Sequence, residues 1–465
     1  MHPFIHLHVH SQYSLLDGQA SIQRLVDKAY DDGMPAIALT DHGAMYGIKE
    51  FLNYVNKKNG PVKTEIGKIK NEIKKLENLI AQDAAGKSQE SGSKTPKIER
   101  EKENQLLLLV KKLSETEKKL FKPIVGCECY LARRDRFQQA DKIDGSGWHL
   151  VVLAKNMQGY KNLIKIVSKS WTEGFYYRPR IDKELLEQYS EGLIVSSACL
   201  GGEISRKVDG GQIAEAEEAV QWYKKVFGDD YYLELQRHKT DRPDADQTTY
   251  PKQESVNKEL IRIAKKYDVK LIATNDVHFV NEEDADAHDR LICLSTGKDF
   301  DDPDRMRYSK QEWLKTTEEM NRIFSDIPEA LSNTLEVAEK VEFYSIDHSP
   351  LMPFYPIDPA FGTEESYKKQ YPEEVLIEEF GQETFHRLGD YNKVIRVKLE
   401  ADYLTHLTKI GARKRYGDDL NEEIIDRLKF ELDTIKNMGF PGYFLIVQDF
   451  IAAARGMDVA VGPGR

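Results

Sequence analysis

The sequence predicts an α/β protein whose main domain is a closed or nearly closed barrel of seven strand–helix units. Seven short apolar runs of strand type occur in the first 275 residues, and amphipathic helical patterns separate most of them. This alternation is typical of parallel strands that are joined by helical crossovers. Polar residues able to bind metals follow most of these runs, at the strand ends where such barrels place their chemistry.

The composition is that of a soluble globular protein with two or more domains. The chain has 465 residues, of which 40% are apolar and 31% charged, and its net charge is -11. This charge argues against a protein that coats nucleic acid by electrostatics alone. The four cysteines form no C-x-x-C pair, which argues against a disulfide framework. No apolar run is long enough to span a membrane and no signal peptide is recognisable, so we expect a cytoplasmic location.

The first eighteen residues, MHPFIHLHVHSQYSLLDG, carry the strongest chemical signal. Apolar residues alternate with His6, His8 and His10, so a strand over residues 4–10 would place the three imidazoles on one face, roughly 6 to 7 Å apart. Buried unpaired imidazoles cost free energy, and a metal ion commonly satisfies them. A single histidine would more often bond to backbone. The triplet followed by Asp17 favours a metal site.

The next elements continue the strand–helix alternation. Ser21 is a good cap for a helix that ends at Gly33. A short apolar strand over 35–39 leads to Thr40-Asp41-His42-Gly43, and a second helix ends at Gly60. These elements predict parallel pairing with a crossover.

Residues 61–121 break this pattern and predict an inserted helical hairpin. Apolar residues recur at steps of three and four in both halves of the segment, and a turn-rich tract over 86–93 separates the halves. Thr95-Pro96 is a good start for the second helix. The many lysines and glutamates predict a solvated surface more readily than an arm that binds a partner.

Strand-like runs resume after the hairpin and alternate with helical patterns. The runs are 124–131, 148–154, 193–198, 231–236 and 270–275, and the helical patterns are 156–170, 182–189, 213–226 and 253–267. Polar side chains at the strand ends form one constellation. Its members are His8, His10, Asp17, His42, Glu128, His149, Cys199, Asp276 and His278.

Nine donors exceed the needs of one ion, because a catalytic zinc ion commonly takes three protein ligands and a water. Two or three ions that share carboxylates fit this number better. Such a cluster lowers the pKa of a water and binds phosphate oxygens, which is the chemistry of phosphoester hydrolysis. Cys199 is the weakest member, because a buried cysteine is often only a small apolar residue of the core.

Several motifs resemble known families. They include His-Leu-His-Val-His-Ser, Leu-Leu-Asp-Gly, Thr-Asp-His-Gly, Gly-Cys-Glu, Ser-Ala-Cys-Leu-Gly-Gly-Glu and Thr-Asn-Asp-Val-His-Phe. In this order they resemble the polymerase-and-histidinol-phosphatase (PHP) domain as it opens the alpha subunits of bacterial DNA polymerase III, the family C replicative polymerases. Downstream, residues 439–447 and the closing Val-Gly-Pro-Gly-Arg resemble the start of the palm of these polymerases.

The resemblance implies a PHP-type distorted (β/α)7 barrel over 1–285, with the 61–121 hairpin as an insertion. It implies that the nine residues named above bind two or three divalent metals (Zn, Mn or Fe). We place His6 and Asp41 behind these ligands, where they would orient them. The intact ligand set permits a 3′–5′ exonuclease, pyrophosphatase or other phosphoesterase activity.

The resemblance implies that residues 286–465 are the truncated start of a mixed α/β polymerase palm. Gly462, Gly464 and Arg465 would begin a loop that binds the triphosphate of the nucleotide, although a plain turn is an equally good interpretation of these residues. In this family the catalytic aspartates, which use Mg in polymerisation, follow the point where this sequence stops. We therefore expect an amino-terminal fragment that cannot polymerise. The full-length protein would bind primer–template DNA, dNTPs, the sliding clamp and other replisome subunits.

Two alternative functions remain open. One is a stand-alone phosphatase of the histidinol-phosphate type, which leaves the 180 residues after the barrel unexplained. The other is a non-catalytic barrel that metals stabilise and that serves as a platform for other replisome subunits. Whatever the function, the run from Phe444 to Ala454 is nearly all apolar, and we expect it to be buried.

Overall fold

A curled sheet surrounded by helices dominates the computed structural model, which describes residues 1–86, 96–140, 142–348, 351 and 353–462. Eight strands lie in these residues. They are β1 (Ala36–Leu39), β2 (Lys122–Leu131), β3 (Trp148–Ala154), β4 (Phe175–Tyr176), β5 (Arg178–Ile181), β6 (Leu193–Ser196), β7 (Tyr231–Leu235) and β8 (Lys270–Ala273). The predicted α/β class is confirmed, and six of these strands coincide with predicted ones. The short β4–β5 hairpin was not predicted.

The strand order is β4-β5-β2-β3-β6-β7-β8, and β1 also pairs with β2. Most pairs are parallel, as the crossovers predict, but β3 runs antiparallel to both β2 and β6. The loop between β2 and β3 contains no helix in its described residues, so the chain returns beside β2 in the opposite direction.

Residues 6–10 bridge the two ends of the curl but do not form the predicted regular strand. His6 and Val9 accept backbone hydrogen bonds from Ala38 and Thr40, whereas His8 accepts one from Val277. These bonds go to two different neighbours, and the chain bends at His8. The prediction of a strand over 4–10 is therefore wrong, although the segment does occupy the place of a strand that closes the barrel.

Helices flank the sheet in the first part of the chain. They are α1 (Ile22–Asp31), α2 (Ile48–Lys58), α3 (Gly60–Gly86), α4 (Pro96–Glu117), α5 (Met157–Thr172), α6 (Lys183–Gln188), α7 (Glu203–Asp209), α8 (Ile213–Phe227), α9 (Thr249–Tyr267), α10 (Ala285–Thr296), α11 (Thr317–Ile323) and α12 (Pro328–Lys340). Ser21 caps α1 as predicted, because its side chain accepts a hydrogen bond from the Arg24 amide.

The segment predicted to form a helical hairpin consists of α3 and α4, which pack against each other. Lys70, in the first half of α3, pairs with Glu117 at the end of α4, with 3.1 Å between Nζ and Oε1, so the helices are antiparallel. Ile69 of α3 is buried. Residues 87–93 of the predicted turn lie outside the described residues.

Side chains of the sheet separate into two apolar clusters. The outer face packs against the surrounding helices, while the inner face of the curl holds a smaller cluster that includes Ile124, Val151 and Ile272. Val337 of α12 joins this inner cluster and fills one end of the curl. The apolar interior therefore occupies only one end of the barrel.

The chain divides into two compact units, Met1–Ile346 and Asp347–Arg465. This division falls later than the predicted boundary after residue 285, because Phe324 of the segment that follows α11 and Leu331 of α12 are buried in the outer core of the barrel. The assignment of 286–465 to a polymerase palm remains a prediction. No helix in the described parts of either unit has both the length and the apolar character needed to span a membrane.

The described residues of the second unit form helices and no strand. The helices are α13 (Glu364–Gln370), α14 (Glu373–Phe380), α15 (Gln382–Leu388), α16 (Tyr391–Tyr416), α17 (Glu422–Met438) and α18 (Pro441–Gly456). The predicted burial of Phe444–Ala454 is wrong, because Phe450 is 67% exposed and Leu445 is the only residue of that run that is buried. α18 carries apolar side chains on all of its sides, but only one side of it packs within this unit.

Candidate metal centre

The inner face of the curl is apolar at one end and polar at the other. Along β2, Ile124 belongs to the inner apolar cluster, and Glu128 lies on the same face four residues later. Along β3, His149 shares a face with Val151. Because side chains alternate across a strand, these residues point into one space at the end opposite α12.

Glu128 lies at the centre of this polar end. Its carboxylate oxygens lie 3.3 Å from Nε2 of His8, 3.5 Å from Nε2 of His10, 2.5 Å from Nδ1 of His42 and 2.8 Å from Nδ1 of His149. The side chain of Glu128 is buried, so these short contacts occur away from water. One carboxylate thus connects four of the histidines that the sequence singles out.

Two aspartates link the remaining donors. Oδ1 of Asp276 lies 3.2 Å from Nε2 of both His8 and His10. Asp17 Oδ2 lies 3.1 Å from Nε2 of His42, and Asp17 Oδ1 lies 3.8 Å from Nε2 of His278. These aspartates therefore bridge histidines from distant parts of the sequence.

Cys199 is the ninth candidate, and it also faces this space. Its Sγ lies 3.6 Å from Nδ1 of His149 and 4.0 Å from Oε1 of Glu128. The backbone amide of Gly201 donates a hydrogen bond to the sulfur. The structure thus brings together all nine residues that the sequence proposed.

Several buried polar atoms of the cluster make no hydrogen bond within the described part of the chain. They are Nε2 of His8, His10 and His278, Nδ1 of His42, Oε2 of Glu128 and Oδ1 of Asp276. Buried polar groups without partners are costly, and these atoms face one another as lone pairs do around cations. Three groups of donors have atoms within 4.8 Å of one another: His10/His42/His278, His8/His10/Glu128 and Glu128/His149/Cys199. The donor set fits divalent metals.

Electrostatics within the cluster separate the pKa values of its members. Burial would raise the pKa of Glu128, but the charges of His149, His42 and His8 hold it well below its usual range. Burial lowers the pKa of His10 to about 3, with a further decrease from His42 and His278. For His42, burial is outweighed by Glu128, so its pKa lies well above the usual range. A metal that binds His42 must displace its proton, and its affinity should therefore rise with pH.

Asp41 lies behind the cluster, and the role predicted for it, to orient the ligands, remains a prediction. Its carboxylate accepts hydrogen bonds from the Ser11 amide at 2.7 Å and from the Ser14 hydroxyl at 2.7 Å. Oγ of Ser14 lies 3.0 Å from Nδ1 of His10. Because Asp41 fixes Ser14, it also holds the imidazole of His10 in its present orientation.

His6 lies outside the cluster, although it was predicted to orient a ligand. Its Nε2 donates a hydrogen bond to the carbonyl of Lys315 at 2.8 Å. Ile5 and Leu7 belong to the inner apolar cluster, but Val9 belongs to the outer one, so the alternation fails at the bend. The bend turns His8 towards the polar end and leaves His6 on a different side.

The buried Lys315 beside His6 makes stability depend on pH. Burial lowers its pKa to about 7, and its Nζ lies 3.4 Å from the centre of the Trp313 ring. The folded state therefore binds fewer protons than the unfolded state between pH 7 and the ordinary lysine pKa, and stability rises with pH across this window. We expect the stability of Lys315→Met, relative to the natural protein, to fall as pH rises from about 7 to 10. Urea unfolding at several pH values measures this difference, and a constant difference would contradict the assignment.

Three residues near the cluster were not predicted. Glu234 of β7 is fully buried and its Oε2 lies 3.1 Å from Nδ1 of His8. The Tyr308 hydroxyl donates to Asp17 at 2.9 Å, and Nε2 of the buried His288 lies 3.9 Å from the same carboxylate. A glutamate inside an apolar strand was a detectable signal, whereas no local pattern marked Tyr308 or His288.

The cluster of candidate ligands opens into a cavity of about 550 Å³. Asp17, His42, His149, Cys199, Asp276 and His278 line one wall of it, so these candidate ligands can be reached from outside. Other parts of the wall come from Tyr130 and Arg178 and from a second arginine, Arg307. A phosphate group could reach the metal centre and a positively charged side chain in the same space.

Of the three residues of the predicted phosphate loop, the structure describes only Gly462. Gly462 is exposed and belongs to the second unit. Gly464 and Arg465 lie outside the described residues. The proposal that these three residues bind a triphosphate therefore remains a prediction.

Comparison with known proteins identifies the family of this site. The sequence signature of the PHP domain matches residues 6–238, which is half of the chain. The chain belongs to the PHP domain family. Seven of the nine proposed ligands fall within the matched residues, and the other two, Asp276 and His278, lie beyond them.

A second signature, that of the bacterial DNA polymerase III alpha NTPase domain, matches residues 402–465. Relatives named DNA polymerase III subunit alpha are 37% identical in Borreliella burgdorferi and 34% identical in Treponema pallidum, and each alignment includes 99% of this chain. The chain spans about a third of the length of these relatives, with shares of 31% and 30%. The resemblance to the PHP domain and to these alpha subunits is confirmed.

One solved structure, from Bifidobacterium adolescentis, is described as a candidate metal-dependent phosphoesterase. It matches 59% of this chain and 87% of its own length with 11% identity, and its TM-score is 0.27. A likeness this weak carries no argument about the PHP domain of this chain.

Proposed function

We propose that the PHP domain of this chain is a metal-dependent phosphoesterase that hydrolyses phosphodiester bonds, with the 3′ end of DNA as its substrate. The unpartnered donor atoms around Glu128 support this proposal most strongly. All nine candidates, His8, His10, Asp17, His42, Glu128, His149, Cys199, Asp276 and His278, are proposed ligands. Two or three divalent ions at this site, with Zn, Mn and Fe as candidates, would supply a water of lowered pKa and positive charge for phosphate oxygens.

The residues of the chain itself would position the substrate and the ligands. Arg178 and Arg307 line the cavity and would bind phosphate oxygens, because guanidinium groups pair well with phosphate. Tyr308 and Asp41 would hold Asp17 and the Ser14–His10 pair in place through hydrogen bonds. Asp17 and His149, whose side chains are 25% and 28% exposed, lie at the open side of the cluster, where an ester would arrive.

We further propose that the chain works as part of a replicative DNA polymerase. The relatives named DNA polymerase III subunit alpha and the second signature over 402–465 support this proposal. The whole protein would extend a primer–template with dNTPs and Mg, and it would act with a sliding clamp and other replisome subunits in the cytoplasm. Primer extension by the full-length protein tests this proposal.

Hydrolysis of a simple phosphodiester tests the proposed phosphoesterase activity. With Mn or Zn added, we expect the purified chain to cleave bis(4-nitrophenyl) phosphate and single-stranded DNA, and EDTA should abolish both activities. Asp17→Asn should lower turnover by about 100-fold or more because Asp17 is a proposed ligand. Asp27→Asn is the control, since Asp27 bonds Tyr54 and Lys58 on the helical surface instead. No cleavage under any metal condition would contradict the proposal.

The same measurements separate the alternatives. A histidinol-phosphate phosphatase would turn over histidinol phosphate faster than the diester. A non-catalytic platform would bind metal and lose stability in Asp17→Asn, but the natural protein would cleave no substrate. Metal analysis and thermal unfolding of both proteins distinguish these outcomes.

A further inference from the structure

Exposed aromatic side chains form a cluster beside the opening of the metal cavity. Trp171 at the end of α5, Phe175 in β4 and Tyr177 at the turn between β4 and β5 are 43%, 48% and 74% exposed. The rings of Trp171 and Phe175 stack on each other, with centroids 5.4 Å apart and an angle of 16°. We call these three residues the aromatic rim.

Two contacts connect the aromatic rim to the metal centre. The Trp171 indole donates a hydrogen bond to the carbonyl of Gly43, the residue after the proposed ligand His42, at 2.8 Å. The ring of Tyr177 lies against Gly145, so closely that a Cβ at Gly145 would be 3.2 Å from it, and Gly145 lines the cavity. The rim and the centre are therefore parts of one surface.

Arg178 lies between the aromatic rim and the metal centre. It lines the cavity, and its guanidinium is 5.5 Å from the centre of the Tyr130 ring, which in turn stacks 6.1 Å from His42. Among the described residues, the guanidinium of Arg178 contacts the Tyr130 ring and forms no ion pair with a carboxylate. Its positive charge thus remains available for an anion.

Backbone geometry at the turn keeps the rim exposed. Tyr177 has a φ of 59°, in the left-handed region that bulky residues seldom occupy. The pairs Phe175–Pro179 and Tyr176–Arg178 on either side hold the turn in this conformation. Strained backbone of this kind occurs often at sites that bind ligands. Here it presents an aromatic ring to solvent next to the cavity.

We propose that Trp171, Phe175, Tyr177 and Arg178 form a subsite that binds single-stranded DNA and guides its end to the metal centre. Exposed aromatic rings stack on bases, and an arginine that has no carboxylate partner among the described residues binds the phosphate between them, which is how proteins hold single strands. A duplex hides the faces of its bases, so the rim favours an unpaired end. The inference rests on the proposed phosphoesterase function and names the form of its substrate.

Binding of a labelled oligo(dT) with uncleavable phosphorothioate linkages tests the aromatic rim. We expect Phe175→Ala and Tyr177→Ala each to raise the Kd at least fivefold, since stacking on one base contributes about 1 kcal/mol or more. Phe343→Ala is the matched control. Phe343 is also exposed, but it contacts Lys122 at the start of β2, far along the strand from Tyr130. The Kd of Phe343→Ala for the oligo(dT) should equal that of the natural protein.

Salt dependence tests the role of Arg178. Loss of one phosphate contact to a single strand should reduce the slope of log Kd against log salt by about 0.7 in Arg178→Gln. The two alanine variants should keep the natural slope. Arg322→Gln, at an exposed arginine that pairs with Glu318, is the control and should keep both slope and Kd.

The outcomes separate this inference from the proposed function. Unchanged Kd values in Phe175→Ala and Tyr177→Ala, or equal competition by a blunt duplex, would overturn the subsite even in a protein that cleaves the small diester. A natural protein that cleaves no diester would overturn the proposed function, whatever the binding shows. Thermal unfolding of each variant verifies that it is folded, and Tyr177→Phe should restore the Kd because it keeps the ring.

Discussion

Glu128→Gln is expected to lose bound metal and to lower diester hydrolysis by more than about 100-fold. The carboxylate is within 3.5 Å of nitrogens of His8, His10, His42 and His149, and it lies near the Cys199 sulfur as well. Glutamine has the same size, but it brings no negative charge and directs N–H donors at the imidazoles. Elemental analysis and turnover with added Mn measure the two losses.

Glu203→Gln is the matched control for this substitution. Glu203 is equally buried, but its carboxylate accepts hydrogen bonds from Tyr223 and Lys207 on the helical side of the barrel. We expect this variant to lower the free energy of unfolding by about 1 to 3 kcal/mol and to keep its metal. If Glu128→Gln retained metal and turnover, Glu128 would not be a ligand. If both variants lost metal equally, the effect would be one of general stability.

Local patterns were sufficient to predict most of the residues that the candidate ligand cluster contains. Glu128 and His149 are polar residues within otherwise apolar strands, and His42 and Cys199 follow such strands directly. In a barrel with parallel crossovers, strand ends meet at one side, so Glu128, His42 and Cys199 could be placed together without knowledge of their contacts. His149 is the second residue of its strand and reaches the same side because β3 runs antiparallel to β2, which the sequence did not predict. Such a prediction needs only the approximate position of each strand.

The geometry of the first segment could not be predicted in this way. Strict alternation placed His6 with His8 and His10, but the bend at His8 separates them. That bend exists because the segment bonds to residues near Ala38 on one side and to Val277 on the other. These partners are distant in sequence, so no local pattern indicates them.

Tertiary contacts, which the sequence does not show, also explain why some strands were missed and why the burial of one helix was predicted wrongly. The strands β4 and β5 are only two and four residues long, too short to give an alternating pattern. α18 carries apolar side chains on all of its sides, so the sequence pattern alone could not show which side is buried. The side chain of Arg180 is fully buried, although arginine is mostly an exposed residue in proteins.

Arg180→Met is expected to lower the free energy of unfolding by about 3 to 5 kcal/mol. The guanidinium donates hydrogen bonds at 2.8 to 3.0 Å to the carbonyls of Gly174, Gln138, Asp144 and Arg136. Methionine fills similar space but leaves these buried acceptors without donors. Chemical denaturation measures the change, and Arg322→Gln, at an exposed arginine, should alter stability by less than about 0.5 kcal/mol.

Arg180→Lys should recover only a small part of this loss. An ammonium group keeps the charge, but it lacks the planar arrangement of five donors that reaches carbonyls on several sides. Full recovery by lysine would mean that charge, and not the directed hydrogen bonds, holds this region. The four carbonyls belong to the loop before β3 and to the start of the β4–β5 hairpin, the two segments that carry Gly145 and Tyr177. Both Arg180 variants should therefore also raise the Kd for single-stranded DNA, because the residue that stabilises the fold here also positions the aromatic rim.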